Sequence, residues 1–142
     1  MDYACNIFLF YNLPQYTTSL VKEKSTPSKY YVADVGLRNA VLLAQSEDDG
    51  KSLENMVYLE LVRRNKEVFI GKRNNLEVDF VAVDYNDYTS YYQVSWTTEN
   101  EETLERELAS LRAIKDSTPK YLLTTDVDFN PVYDGIRKLN VI

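Results

Sequence analysis

Polar and apolar positions alternate at two different periods along the chain. Residues 52–65 carry apolar side chains at Leu53, Met56, Val57, Leu59, Leu61 and Val62, a helical pattern that runs nearly all the way round and predicts a helix buried on several sides, with Ser52 as its N-cap. Residues 99–116 carry Leu104, Leu108, Leu111 and Ile114 on one stripe, with Glu101, Glu105, Arg106 and Arg112 on the wet side, and predict a second helix. Strands are predicted over 67–71, 76–84, 90–96 and 120–125, with turns at "KRNN" and "DYNDYT". The short link between 76–84 and 90–96 predicts an antiparallel pair, and the helix before 120–125 predicts that this last strand runs parallel to a neighbour. Strict alternation in "EVDFVAV" places Glu77, Asp79, Val81 and Val83 on one face and Val78, Phe80 and Ala82 on the other.

The flanks are less regular. Residues 1–12 are apolar and aromatic and read as a helix, residues 13–28 as a polar connection, and Lys29–Ala33 as extended chain. Asp34 is placed to cap a helix over about 35–43, residues 44–52 read as a loop, and 131–139 as a last short helix. The chain ends on Val141 and Ile142 without a polar tail, so a piece of a longer protein is expected. From residue 52 the order is helix, three strands, helix, strand.

Composition narrows the chemistry. With 142 residues the chain is long enough for one core, and 44% hydrophobic residues is an ordinary globular value. The twelve Tyr are expected on half-buried surfaces. A formal charge of −6 argues against a broad basic surface gripping phosphates, though not against a local basic cleft. The single Cys, Cys5, forms no internal disulfide and fits a reducing, cytoplasmic setting. No apolar run has the length of a membrane span, and the first residues lack the basic start of a signal peptide. The absence of His excludes Ser-His-Asp and Cys-His catalysis and His-ligated zinc. "IGKRNN" lacks the spacing of a phosphate-binding loop, which leaves carboxylates, amides, hydroxyls, Lys and Arg, a set suited to a hard cation.

The αβββαβ order resembles the core of the PD-(D/E)XK nuclease superfamily, a restriction-endonuclease-like α/β fold with a mixed central sheet flanked by helices. The phrases "KYYVADVGLRNAV", "LENMVYLELVRR", "NLEVDFVAV", "YYQVSW" and "ERELASLRAIKDSTPKYLLTTD" resemble, more closely, the C-terminal domain of unknown function carried by bacterial and archaeal AAA-type ATPases. The resemblance covers residues 29–142. It implies that residues 1–28 are an N-terminal helix and linker, the remnant of a preceding winged-helix segment, and that an ATPase domain of the same protein lies upstream. It implies the site as well. Asp79 matches the metal-binding Asp of strand two, and Glu54 the acid of the first helix, with Glu60 as second choice. Gln93 and Ser95 fall where strand three usually carries an acid and a Lys. Asp79, Glu54 and Gln93 are thus the implied ligands of Mg2+ or Mn2+.

Two departures from that pattern bear on activity. Gln93 is a neutral amide in place of a carboxylate, and Ser95 is a hydroxyl in place of an ammonium, which cannot offset charge at a phosphate. Lys72 and Lys120 are the cations that would have to take over. Each residue also has a plainer reading: Glu54 as a first-turn acid favoured by the helix dipole, Glu60 paired with Arg63 or Arg64, Glu77 as a solvated strand end, Asp79 in a buried pair with an Arg, Gln93 and Ser95 bonded to each other, "ERE" at 105–107 as a wet helix face, and "GKR" at 71–73 as a turn. Two functions stay open. One is a non-catalytic module that binds DNA, RNA or a protein, or regulates the attached ATPase. The other is a metal-dependent nuclease.

Overall fold

A computed structural model describes residues 9–16, 29–36, 49–73, 76–129 and 131–142, with backbone alone at 72, 73 and 76. Among them are β1 (Phe10–Leu13), β2 (Lys29–Val32), α1 (Asp49–Arg64), β3 (Glu67–Arg73), β4 (Leu76–Val83), β5 (Thr89–Val94), α2 (Glu101–Arg112), β6 (Lys120–Thr124), β7 (Val132–Tyr133) and β8 (Ile136–Asn140). Six strands form one mixed sheet in the order β3-β4-β5-β6-β8-β7. β3, β4 and β5 are antiparallel neighbours, and β5, β6 and β8 run parallel. The αβββαβ order is therefore present, and the parallel pairing of β6 follows from the crossover through α2.

The two helices cover opposite faces. Leu53, Val57, Tyr58 and Leu61 of α1 pack with Phe80, Ala82, Val68, Ile70 and Leu123. Leu108 and Leu111 of α2 pack with Val78, Leu122, Ile114 and Ile136. Asn100 caps α2 by accepting from the Glu102 amide at 2.8 Å. β1 and β2 form a separate antiparallel pair on the α1 side. Past β1 the chain lies along β3, where the Ile70 amide donates to the Pro14 carbonyl and the Tyr16 amide to the Ile70 carbonyl.

Several expectations need correction. α1 starts at Asp49, so Ser52 lies inside the helix, and Met56 and Val62 are exposed rather than buried. "GKR" at 71–73 continues β3 instead of turning. Phe10–Leu13 is a strand, not helix. Residues 131–139 are not helical: Asp134 at φ 52° and Gly135 at φ 84° make a tight turn joining β7 to β8. Two successive left-handed residues suit a two-residue hairpin and break a helix. The predicted helix over 35–43 is described only at Val35 and Gly36, which are helical, and Cys5 lies outside the described residues.

One irregularity decides where Asp79 points. Phe69 pairs with Val81 and Gly71 with Val78, so β4 carries one more residue than β3 over this interval. The bulge at Asp79–Phe80 breaks the alternation. Val78 and Val81 now lie on the same face, both within 3.2 Å of where a side chain on Gly71 would begin. Phe80 and Ala82 face α1. The expected grouping of Val78 with Phe80 is thus wrong, and the extra residue turns Asp79 toward the same side as Phe80.

Candidate functional site

The site is assembled from β2, α1 and the first half of β4. Asn55, buried on α1, accepts from the Val32 amide at 2.9 Å and donates to the Val32 carbonyl at 3.0 Å. These two bonds hold β2 against the helix as a neighbouring strand would. Lys29 and Tyr31, two residues apart, consequently share the face toward α1. The Tyr31 ring stacks on Tyr58 with centroids 4.3 Å apart and packs against Phe80. Its hydroxyl donates to Glu54 Oε1 at 2.5 Å.

Lys29 is the centre of the cluster. Its Nζ lies 2.7 Å from Glu77 Oε1, 3.3 Å from Glu54 Oε1 and 3.5 Å from Asp79 Oδ1. Burial works against its charge, but the bond to Glu77 and the charges of Glu54 and Asp79 outweigh burial and raise the pKa of Lys29. Asp79 shifts the other way for an acid. Burial first, and then the charge of Glu54, push its carboxyl up to about 7, against the Val94 amide and Lys29. Tyr31 is held protonated by burial and by the adjacent Glu54.

β4 and β5 part at this point. Their ladder runs from Val83–Thr89 to Phe80–Tyr92. Beyond it, side chains bridge the gap: Asp79 Oδ2 accepts from the Val94 amide at 2.9 Å, and the Asp79 amide donates to Gln93 Oε1 at 3.3 Å. Gln93 Nε2 donates to Glu107 Oε2 of α2 at 2.9 Å. Gln93 therefore lies on the α2 face and touches the backbone of Asp79, not its carboxylate.

Asp79 and Glu54 are brought together, through Lys29. Gln93 adjoins them from the other face. Ser95 is not part of the cluster, since its hydroxyl donates to the Thr97 carbonyl at 3.0 Å; it is not bonded to Gln93. Glu54 sits in the second turn of α1, so the first-turn dipole reading fails. Asp79 is paired with a Lys, not an Arg. Glu77 is half-exposed yet makes the shortest contact to Lys29. Glu60 pairs with Arg63 and Arg64 as expected. Lys120 is bound to Asp116 and Thr118 at the opposite end of its strand, and the side chain of Lys72 lies outside the described residues. Glu107, read as wet, is buried against Gln93 and Arg106.

These donors do not fit a divalent ion as they stand. Magnesium takes its oxygens at about 2.0–2.1 Å, whereas the three carboxylates surround the ammonium at 2.7–3.5 Å. The Gln93 oxygen is engaged by the Asp79 amide. Among the described residues, no group of three or more Asp, Glu, His or Cys is arranged as a metal site. Lys29, Asn55 and Glu107 were missed from the sequence. The one available signal was the pairing of Lys29 with Tyr31 at strand spacing beneath an apolar helix.

No family model and no solved structure matches the chain. It is 33% identical over 142 residues to an uncharacterized protein of Haemophilus influenzae, covering 100% of this chain and 34% of that protein. It is 38% identical over 146 residues to an uncharacterized protein of Methanocaldococcus jannaschii, covering 99% of this chain and 31% of that protein. The chain thus spans about a third of the length of these curated relatives.

Proposed function

We propose that this chain is a nuclease-like module that does not itself cleave phosphodiesters and acts by binding a nucleic acid or a protein, as part of a longer ATPase-bearing protein. The observation that carries the reading is Lys29. Its ammonium occupies the point where Glu54, Glu77 and Asp79 converge. Ser95 supplies no cation, and its hydroxyl is turned to the Thr97 carbonyl. The ATPase association rests on the sequence resemblance, and the greater length of the relatives leaves room for it. Among the described residues no helix is long and apolar enough to cross a membrane.

A second reading, a magnesium- or manganese-dependent nuclease, is favoured by one fact: the helix acid Glu54 and the strand acid Asp79 do meet. The experiment that separates the two incubates the chain with single- and double-stranded DNA and RNA, with magnesium or manganese, beside Asp79→Asn. The expected result is no cleavage by either protein. Cleavage by the wild type that disappears in Asp79→Asn overturns the binding reading. Anisotropy titration with the same oligonucleotides then separates a nucleic-acid partner from a protein partner.

A further inference from the structure

We propose that Lys29 is a built-in counter-ion that keeps divalent cations out of the Glu54–Asp79 site, so that removing its charge opens the site to metal. This rests on the non-catalytic reading and accounts for the convergence of three acids on one ammonium. Three carboxylates on one ammonium is not the pattern of a surface ion pair. With all three ionised the cluster carries three negative charges and one positive, an arrangement that attracts further cations. Their oxygens come from an α1 residue and two β4 residues, while the ammonium comes from β2, outside the main sheet.

The ammonium does not compete as a free ion. β2 is fixed to α1 by the Asn55–Val32 bonds, and Tyr31 anchors the same strand to Glu54 and Tyr58. Tethering gives the amine a high effective concentration at the acids. A metal must displace it, draw the oxygens inward and leave a charged amine in a partly buried place. Without the amine, the acids repel one another and a hydrated divalent ion takes the space of the lost side chain.

The test is manganese titration of the purified chain by calorimetry, with Lys29→Met, Lys29→Arg and the double variant Lys29→Met/Asp79→Asn. The expected result is at least about tenfold tighter binding, one ion per chain, in Lys29→Met than in the wild type or Lys29→Arg. The gain should vanish in the double variant. A melting scan supplies the second readout: manganese should raise the Tm of Lys29→Met and leave that of the wild type unmoved. If Lys29→Met binds no more tightly than the wild type, the proposal is overturned and the non-catalytic reading stands. Wild-type binding as tight as that of Lys29→Met also overturns it. A Lys29→Met chain that unfolds and is not restored by manganese overturns it too, because the metal would then not stand in for the ammonium. Cleavage by the wild type is a separate failure, that of the functional reading.

Discussion

Asp79 makes the stability of this chain depend on pH in an unusual direction. Its carboxyl is raised from an ordinary 3.8 to about 7 in the folded state, by burial and by the charge of Glu54. Between these values the folded protein holds a proton that the unfolded chain has released. Stability contributed by Asp79 is therefore fully present below the unfolded pKa and is lost as pH rises through the folded one. From about pH 5 to about pH 8, roughly two pH units lie in this window, and at about 1.36 kcal/mol per unit the loss is about 2–3 kcal/mol. Asp79→Asn removes the titration and keeps an oxygen for the Val94 amide. Urea unfolding followed by the fluorescence of Trp96, the single tryptophan, reads both proteins. With a slope of about 1–3 kcal/mol per molar urea, the wild-type midpoint should fall by roughly 1–3 M between the two pH values and the variant's should not. Contributions from groups distant from Asp79 cancel in the difference between the two proteins. Equal falls in both, or a wild-type midpoint that rises with pH while the variant stays flat, would refute the assignment of a raised pKa to Asp79.

Two further substitutions test the scaffold. Asn55→Ala strips both bonds from Val32 and leaves its backbone groups without that partner, so a loss of about 2–3 kcal/mol is expected in urea unfolding. Gly71→Ala places a methyl 2.9 Å from Val81 Cγ2 and 3.2 Å from Val78 Cβ, opposite the bulge, and a loss of about 1–3 kcal/mol is expected by the same measurement.

The order of elements from α1 to β6 was legible because each carries a clear apolar period and the links between them are short. The C-terminal hairpin was not read correctly because Val132, Ile136 and Leu139 also fit helical spacing. The Asp134–Gly135 turn, with both residues left-handed, settles the local structure against that period. The orientation of Asp79 was not legible either. A single extra residue in β4 leaves no mark in that strand's own pattern; its only trace lies on the partner strand, where Gly71 makes room for Val78 and Val81. Asp79 and Glu54 were singled out by resemblance, and the structure brings both carboxylates to Lys29. Gln93 lies opposite Asp79 and on the α2 side with Tyr91, as its alternation predicted; it is Asp79 that the bulge carries to the other face, so the amide reaches the Asp79 backbone and not its carboxylate.

Lys29 shows why the remaining part of the site depends on tertiary structure. In the arrangement that the resemblance implies, the cation follows the acid by two residues on one strand, and the pleat alone sets their distance. Here the ammonium is separated from Asp79 by 50 residues and arrives on a strand pair that is not part of the main sheet. Its position is fixed by how β1 and β2 dock: by Asn55, by Tyr31, by the Ile70 amide donating to the Pro14 carbonyl and by the Tyr16 amide donating to the Ile70 carbonyl. The acids and the strand pair accordingly depend on each other. Undocking β2 leaves Glu54, Glu77 and Asp79 facing one another without a cation, and their repulsion opposes the packing of α1 on β4. Docking β2 supplies the charge that lets those elements close.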